Sequence, residues 1–291
     1  MKRAILMIMS FLLAMPLMAQ ETMTRLMRPE ALRALSQSGA PLLIIDVRPE
    51  QDYRTGHIPG AVNLPASHLF EPGTHLLPPM HKLRQLFNNA GLSRQLTVVV
   101  YDRGQNYMAT RILWALDLLG HPDTRLLSGG IHQWQQANLP LEQKPIRKPK
   151  GDFLPTVDPE YLASKMTTRI AMTNPNMVLV DVRTADVYAG KRNPENNPRV
   201  GHIPSAINIP WRQNLLGEQE IGPIKPAKAL ATLYAKLPKN RLYILYCQYG
   251  SHSTLAYLLM REMGYRVTVY DGSWYEWSRD PSLPVYQGTE P

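Results

Sequence analysis

The chain contains a single cysteine, Cys247, and the residues around it carry the clearest chemical signal in the sequence. Cys247 closes the apolar run from Leu242 to Tyr246. It is followed by the short stretch "CQYGSHS", after which Leu255, Leu258, Leu259 and Met263 recur at helical spacing. A strand that ends in a tight loop and then a helix directs backbone N–H groups and a helix N-terminus at the sulfur. That setting favours an anion and lowers a thiol pKa from ~8.5 toward neutrality. The expected species is a thiolate nucleophile. Gly250, three residues on, lets the loop turn back toward the sulfur without a Cβ in the way.

The elements that must hold this loop occur twice. "LLIIDVRPEQDYRTGHIPGAVNLP" (42–65) returns as "MVLVDVRTADVYAGKRNPENNPRVGHIPSAINIP" (177–210), with a longer insert before the second GHIP. "LTVVVYDRG" returns as "RLYILYCQYG", and "LLSGGIHQW" as "VYDGSWYEW", in the same order and at a nearly constant offset. This is one domain duplicated rather than a solenoid of many repeats. In each copy short apolar runs alternate with helical patterns: strands at 42–47, 97–101 and 124–127 with a helix at 107–119, then strands at 177–182, 242–246 and 266–270 with a helix at 253–263. Strands separated by helices imply an α/β fold, each copy a parallel sheet flanked by helices. In such a sheet ligands bind beyond the carboxyl ends of the strands, where Cys247 lies.

The expected organisation is a first domain over 24–141, a proline-rich and basic linker over 142–156, and a second domain over 157–288. Ahead of these, Lys2 and Arg3 precede an apolar stretch from Ala4 to Leu13 and a small residue, Ala19. That pattern reads as a signal peptide over 1–19 and points to export to the periplasm. The stretch falls short of the ~20 residues that span a bilayer, so no membrane association is expected after cleavage. With one cysteine no intramolecular disulfide can form, so the thiol is either inert or reactive. The net charge of +9 is spread along the chain; its densest stretch, Lys144, Arg147, Lys148 and Lys150, is broken by prolines. It reads as a solvated linker, no nucleic-acid partner is expected, and the basic balance favours small anionic substrates.

These motifs together resemble the tandem-domain rhodanese sulfurtransferases of the thiosulfate or 3-mercaptopyruvate type. They are DVR with GHIPGA, "THLLP" (74–78), VVYD (99–102), "ATRILWALDLLGH", DVR with GHIPSA, "NIPW" (208–211), the Cys247–Ser253 loop and "DGSWYEW". The resemblance implies two rhodanese-like domains facing each other, the first silent because Asp102 stands where the second has Cys247. It implies that Cys247 takes a sulfane sulfur from a small anionic donor and passes it to a thiol, cyanide or protein acceptor. The persulfide would be cradled by the loop Gln248, Tyr249, Gly250, Ser251, His252 and Ser253, with no cofactor and no metal ion.

The chain departs from that pattern where the donor would bind. Gln248 and Tyr249 match neither the cationic loop of thiosulfate-type relatives nor the small-residue loop of mercaptopyruvate-type ones, and Val187 stands where an arginine is common. Arg192 and Arg199 in the insert are candidate replacements as anion binders; otherwise they are ordinary surface arginines. His252 either adds positive charge within the cradle or faces solvent at its rim. Asp102 either faces the cleft or is structural, and His57 and His202 in the GHIP turns read as structural, with Asp46 and Asp181 holding loops. A phosphatase of the same fold would need an arginine six residues after the cysteine, where Ser253 stands. A non-enzymatic periplasmic sulfur-carrier or redox-partner module, in which Cys247 holds a persulfide or mixed disulfide for a specific protein, is the remaining alternative.

Overall fold

The protein is described here as a computed structural model covering residues 23–217 and 220–291, so the leader expected over 1–19 lies outside the described residues. The first half contains β1 (Leu26–Met27), α1 (Pro29–Gln37), β2 (Leu42–Asp46), α2 (Glu50–Thr55), β3 (Ala61–Asn63), α3 (Met80–Asn89), β4 (Thr97–Tyr101), α4 (Tyr107–Leu118), β5 (Thr124–Leu127) and α5 (Gly130–Gln136). The second half repeats the plan with β6 (Leu162–Ala163), α6 (Lys165–Ala171), β7 (Met177–Asp181), α7 (Ala185–Tyr188), β8 (Ile207–Asn208), α8 (Ala227–Tyr234), β9 (Leu242–Tyr246), α9 (His252–Glu262), β10 (Arg266–Tyr270) and α10 (Ser273–Arg279). Each half forms a parallel five-stranded sheet, in the orders β1-β5-β4-β2-β3 and β6-β10-β9-β7-β8. No helix among the described residues is long and apolar enough to cross a membrane.

The central strands read as continuous apolar runs because helices cover both faces of the sheet. Register places Asp46 opposite Tyr101 and Asp181 opposite Tyr246, which explains the repeated motifs. In the second half Arg183 grips both oxygens of Asp181, and its Nη2 also donates to the Gly201 carbonyl at 2.7 Å. Tyr246 accepts the Ile203 N–H at 3.1 Å. The first half repeats this with Asp46, Arg48, Gly56, Tyr101 and Ile58. DVR, the GHIP turn and the strand-end tyrosine therefore form one buried network that pins the chain immediately before Cys247. His57 and His202 stack on Tyr53 and Tyr188 at 3.8 and 3.7 Å, each with Nδ1 at that tyrosine's carbonyl.

Helices α4 and α9 are buried on nearly every face, because each packs on its own sheet and against the other. Thr110 and Thr254 meet there, Oγ1 to Oγ1, at 3.0 Å. One apolar cluster runs from Leu43 and Val100 through Ala109 and Leu113 to Leu255 and Leu258, so the two halves share a core. The linker is less free than its composition suggests. Its basic side chains are mostly exposed, but Phe153 is fully buried, and the Gly151 and Phe153 N–H groups donate to the Asn88 and Leu92 carbonyls. Burying that one aromatic ring ties the segment along the first domain.

Candidate active site

Cys247 directly follows β9, is fully buried, and the loop after it enters α9 at His252. The Trp274 and Tyr275 N–H groups donate to the Cys247 and Gln248 carbonyls at 3.0 Å each, and the Cys247 N–H donates to Ser273 Oγ at 3.3 Å. The "DGSW" stretch thus fixes the loop from behind. Burial alone would push the Cys247 thiol up. It is outweighed by the hydrogen bond and charge of His252, then by the Ser253 and Tyr249 N–H groups, and the thiol falls from 9.0 to about 6. The Ser253 hydroxyl lies 3.8 Å from Sγ, and the Arg183 charge also acts on the sulfur. Near neutral pH the group is a thiolate, the nucleophilic form.

His252 faces the sulfur and is clamped rather than free at a rim. Its ring stacks on Trp211 at 4.7 Å and 12°, and Tyr107 of the first domain meets it edge-on at 4.2 Å. Gly250 turns with φ +76°, and a Cβ there would stand 2.7 Å from Arg111 Nη1 and 2.9 Å from the Asp271 carbonyl. Arg111, fully buried on α4, donates to the Gly250 carbonyl at 3.1 Å and to Asp271 Oδ1 at 2.7 Å, and through Nη2 to the Leu69 and His75 carbonyls. The first domain therefore braces the Cys247 loop with a buried arginine. Ser251 accepts the Thr254 hydroxyl at 2.6 Å, closing the loop onto α9.

The two loop residues that depart from the family pattern both engage the insert before the second GHIP. Gln248 and Asn197 exchange amide hydrogen bonds at 2.8 and 3.2 Å, and the Tyr249 hydroxyl donates to Glu195 at 2.9 Å. Burial, then Glu195, pushes Tyr249 up to about 12. His75, from the "THLLP" stretch, packs on Tyr249 and Tyr275 at 4.5 and 4.6 Å, and Arg279 covers Tyr275 at 3.6 Å. The mouth of the site is thus aromatic and carries a carboxylate and an arginine. The two candidate anion binders are engaged elsewhere. Arg192 pairs with Asp186 on the surface, while Arg199 donates to the carbonyls of Trp277, Ser278, Asp280 and Leu283 and so caps the end of α10.

Asp102, at the first-domain position of Cys247, is buried and structural. Its carboxylate accepts the N–H groups of Gly104, Asn106 and Ala109 at 2.8, 3.0 and 3.3 Å. Burial pushes its pKa up, against those hydrogen bonds. No group of three or more side chains suited to a metal ion occurs among the described residues.

Comparison with known proteins agrees with this architecture. The rhodanese-like domain family matches residues 28–137 and again 166–280. A thiosulfate sulfurtransferase of Corynebacterium glutamicum is 33% identical over 248 residues, covering 81% of each chain, and a putative thiosulfate sulfurtransferase of Mycolicibacterium smegmatis is 31% identical, covering 81% of this chain and 88% of its own. Among solved structures, the anaerobic ergothioneine biosynthesis enzyme of Chlorobium limicola, in complex with trimethyl histidine, superposes with TM-score 0.79 at 24% identity, covering 91% of this chain and 70% of that one. YnjE superposes with TM-score 0.81 at 23% identity, covering 91% and 68%. At that identity the structural likeness speaks for the fold. The chain belongs to the rhodanese-like family, with two copies of its domain. It is an enzyme of the sulfurtransferase class for which its curated relatives are named.

Proposed function

We propose that the protein moves sulfane sulfur from a small anionic donor to a thiophilic acceptor through a persulfide on Cys247. The observation that carries this reading is the buried thiolate, paired with His252 and facing the Tyr249 and Ser253 N–H groups. With thiosulfate, the Cys247 thiolate attacks the outer sulfur, the S–S bond of the donor breaks, and sulfite leaves with the bonding pair. The new Cys–S–S⁻ keeps its negative charge, which the N–H cradle and His252 stabilise as an oxyanion hole stabilises oxygen. A thiolate or cyanide acceptor then attacks the outer sulfur and returns Cys247 to its starting form. Each half-reaction conserves charge and needs no oxidant.

The charges at the mouth refine the donor. A dianion requires compensating cations because its desolvation is costly. Apart from His252, which is engaged with the sulfur, the loop offers none, and at the mouth Glu195 beside Tyr249 offsets Arg279. Thiosulfate turnover is therefore expected to be real but weak. The lack of arginines in the loop, with a carboxylate at the mouth, also favours a second reading in which a partner protein delivers or removes the sulfur. Export to the periplasm is part of the proposal and rests on the leader-like residues 1–19. N-terminal sequencing of the mature protein tests it, and an intact Met1 would overturn it.

Intact-mass analysis after incubation with thiosulfate tests the central step. One added sulfur atom on the protein, and none on Cys247→Ser, is the expected result. Sulfur transfer surviving in Cys247→Ser would overturn the mechanism.

A further inference from the structure

The silent domain contains a second copy of the cradle, and its own carboxylate fills it. Asp102 receives loop N–H groups where Cys247 receives them in the catalytic half, the residue two positions on contributing in both. A loop already satisfied by its own anion has no vacancy for a persulfide. It remains rigid, and the structure shows what is attached to it.

Asn106, within this loop, is fully buried and holds a left-handed backbone with φ +70°. Its N–H donates to Asp102, its Oδ1 accepts the Gly129 N–H at 2.7 Å, and its Nδ2 donates to the Gly104 carbonyl at 3.1 Å and to the Gly222 carbonyl at 2.9 Å. Gly222 belongs to the second domain, in an excursion closed by the Leu215–Ile224 bridge, and its N–H returns to the Gly104 carbonyl at 3.1 Å. The excursion follows directly on the short helical turn Trp211–Asn214. Asn106 therefore touches the backbone next to one arm of the His252 clamp and is hydrogen-bonded to the excursion that follows the other. It immediately precedes Tyr107, and it anchors the excursion that begins beside Trp211.

We infer that Asn106 is a positioning residue for the His252–Cys247 pair, acting through Tyr107 and Trp211, so that the silent domain sets the orientation of the catalytic histidine. The inference rests on the reading of Cys247 as the activated nucleophile. The charged groups nearest this chain of contacts are Arg183 at the sulfur, the Arg212–Glu220 pair beside Trp211, and Asp102. Of these only Asp102 is bonded to Asn106, and only through the backbone N–H, which a substitution retains.

Asn106→Gly keeps the left-handed backbone and removes the amide. Because Cys247 is the sole thiol, ultraviolet thiolate absorbance followed against pH reports it alone. The wild-type midpoint is expected near 6. In folded Asn106→Gly it should rise by about one unit or more, leaving roughly fivefold less thiolate at pH 6. The pH profile of kcat should move with it while the donor KM holds. Tyr107→Leu should shift the midpoint in the same direction, and Tyr107→Phe, which keeps the ring, should not. If Asn106→Gly does not fold, the Tyr107→Leu and Tyr107→Phe pair is read in its place. An unchanged midpoint in the folded variant, or activity lowered equally at every pH, would overturn the inference while leaving the nucleophile reading intact. A wild-type midpoint near that of a free thiol would overturn both.

Discussion

Replacing His252 by alanine removes the two largest influences that lower the Cys247 thiol, its hydrogen bond and its charge, while burial remains. The thiol stands at about 6 rather than 9.0. At about 1.4 kcal/mol per unit, the cradle and histidine together outweigh burial by about 4 kcal/mol in favour of the thiolate. The Tyr249 and Ser253 N–H groups alone are not expected to hold that margin, so the variant should titrate near the ordinary thiol value or above. At pH 7 the thiolate fraction would then fall from roughly nine-tenths to roughly one-hundredth, and alkylation by iodoacetamide would slow close to a hundredfold. The sign of the pH dependence follows. The ratio of wild-type to variant rates is greatest at low pH, shrinks as pH rises between about 6 and 9, and closes where both thiols are ionised. Alkylation rates measured across that range, with mass analysis confirming a single modified cysteine, test this directly. A variant that still titrates near 6 would refute the reasoning and assign the activation to backbone N–H groups alone.

Gly250→Ala places a side chain in a left-handed turn and against Arg111 and Asp271; a loss of about 1–3 kcal/mol from the backbone, before any clash, is expected in denaturant unfolding. Glu195→Gln and Tyr249→Lys should each lower the thiosulfate KM, whereas Gln248→Arg should not, because it breaks the buried amide pair with Asn197; steady-state kinetics on the four proteins decides this. Arg199→Ala should lower the melting temperature through the exposed end of α10 and leave the donor KM unchanged. A large KM effect there would return Arg199 to the donor site.

The repeat made most of the fold legible. The central strands and the helices after them lie within a residue or so of their expected positions, because buried parallel strands and apolar residues at helical spacing are local signals. The edge strands β1, β3, β6 and β8, two or three residues each, were not read, since strands that short carry no pattern of their own. The nucleophile loop was equally readable, as strand end, glycine turn and helix start are contiguous. The residues that tune it were not. Tyr107 and Trp211 look like ordinary core aromatics, and Arg111 like a helix residue, until tertiary structure brings them to the loop. "NIPW" and "THLLP" had marked Trp211 and His75 without assigning them work. Arg192 and Arg199 illustrate the opposite case, in which charge and proximity in sequence suggested a ligand and the structure shows other partners for both. For Arg199, the carbonyls at the end of α10 take its donors instead.

The contact between Thr110 and Thr254 sets equivalent positions of the two duplicated helices against each other. That is the signature of an isologous interface, in which a surface meets its own copy across a two-fold axis, as in symmetric dimers. In this chain the axis is internal and the partners are no longer identical. One half carries the cysteine and the other a buried carboxylate in its place, so on the proposed function the seam joins an active half to an inactive one in permanent one-to-one stoichiometry. A dimer of identical chains would present both nucleophile loops to the same seam and could not specialise either face. Covalent fusion frees the second loop from chemistry and lets it serve as a bearing surface for the first.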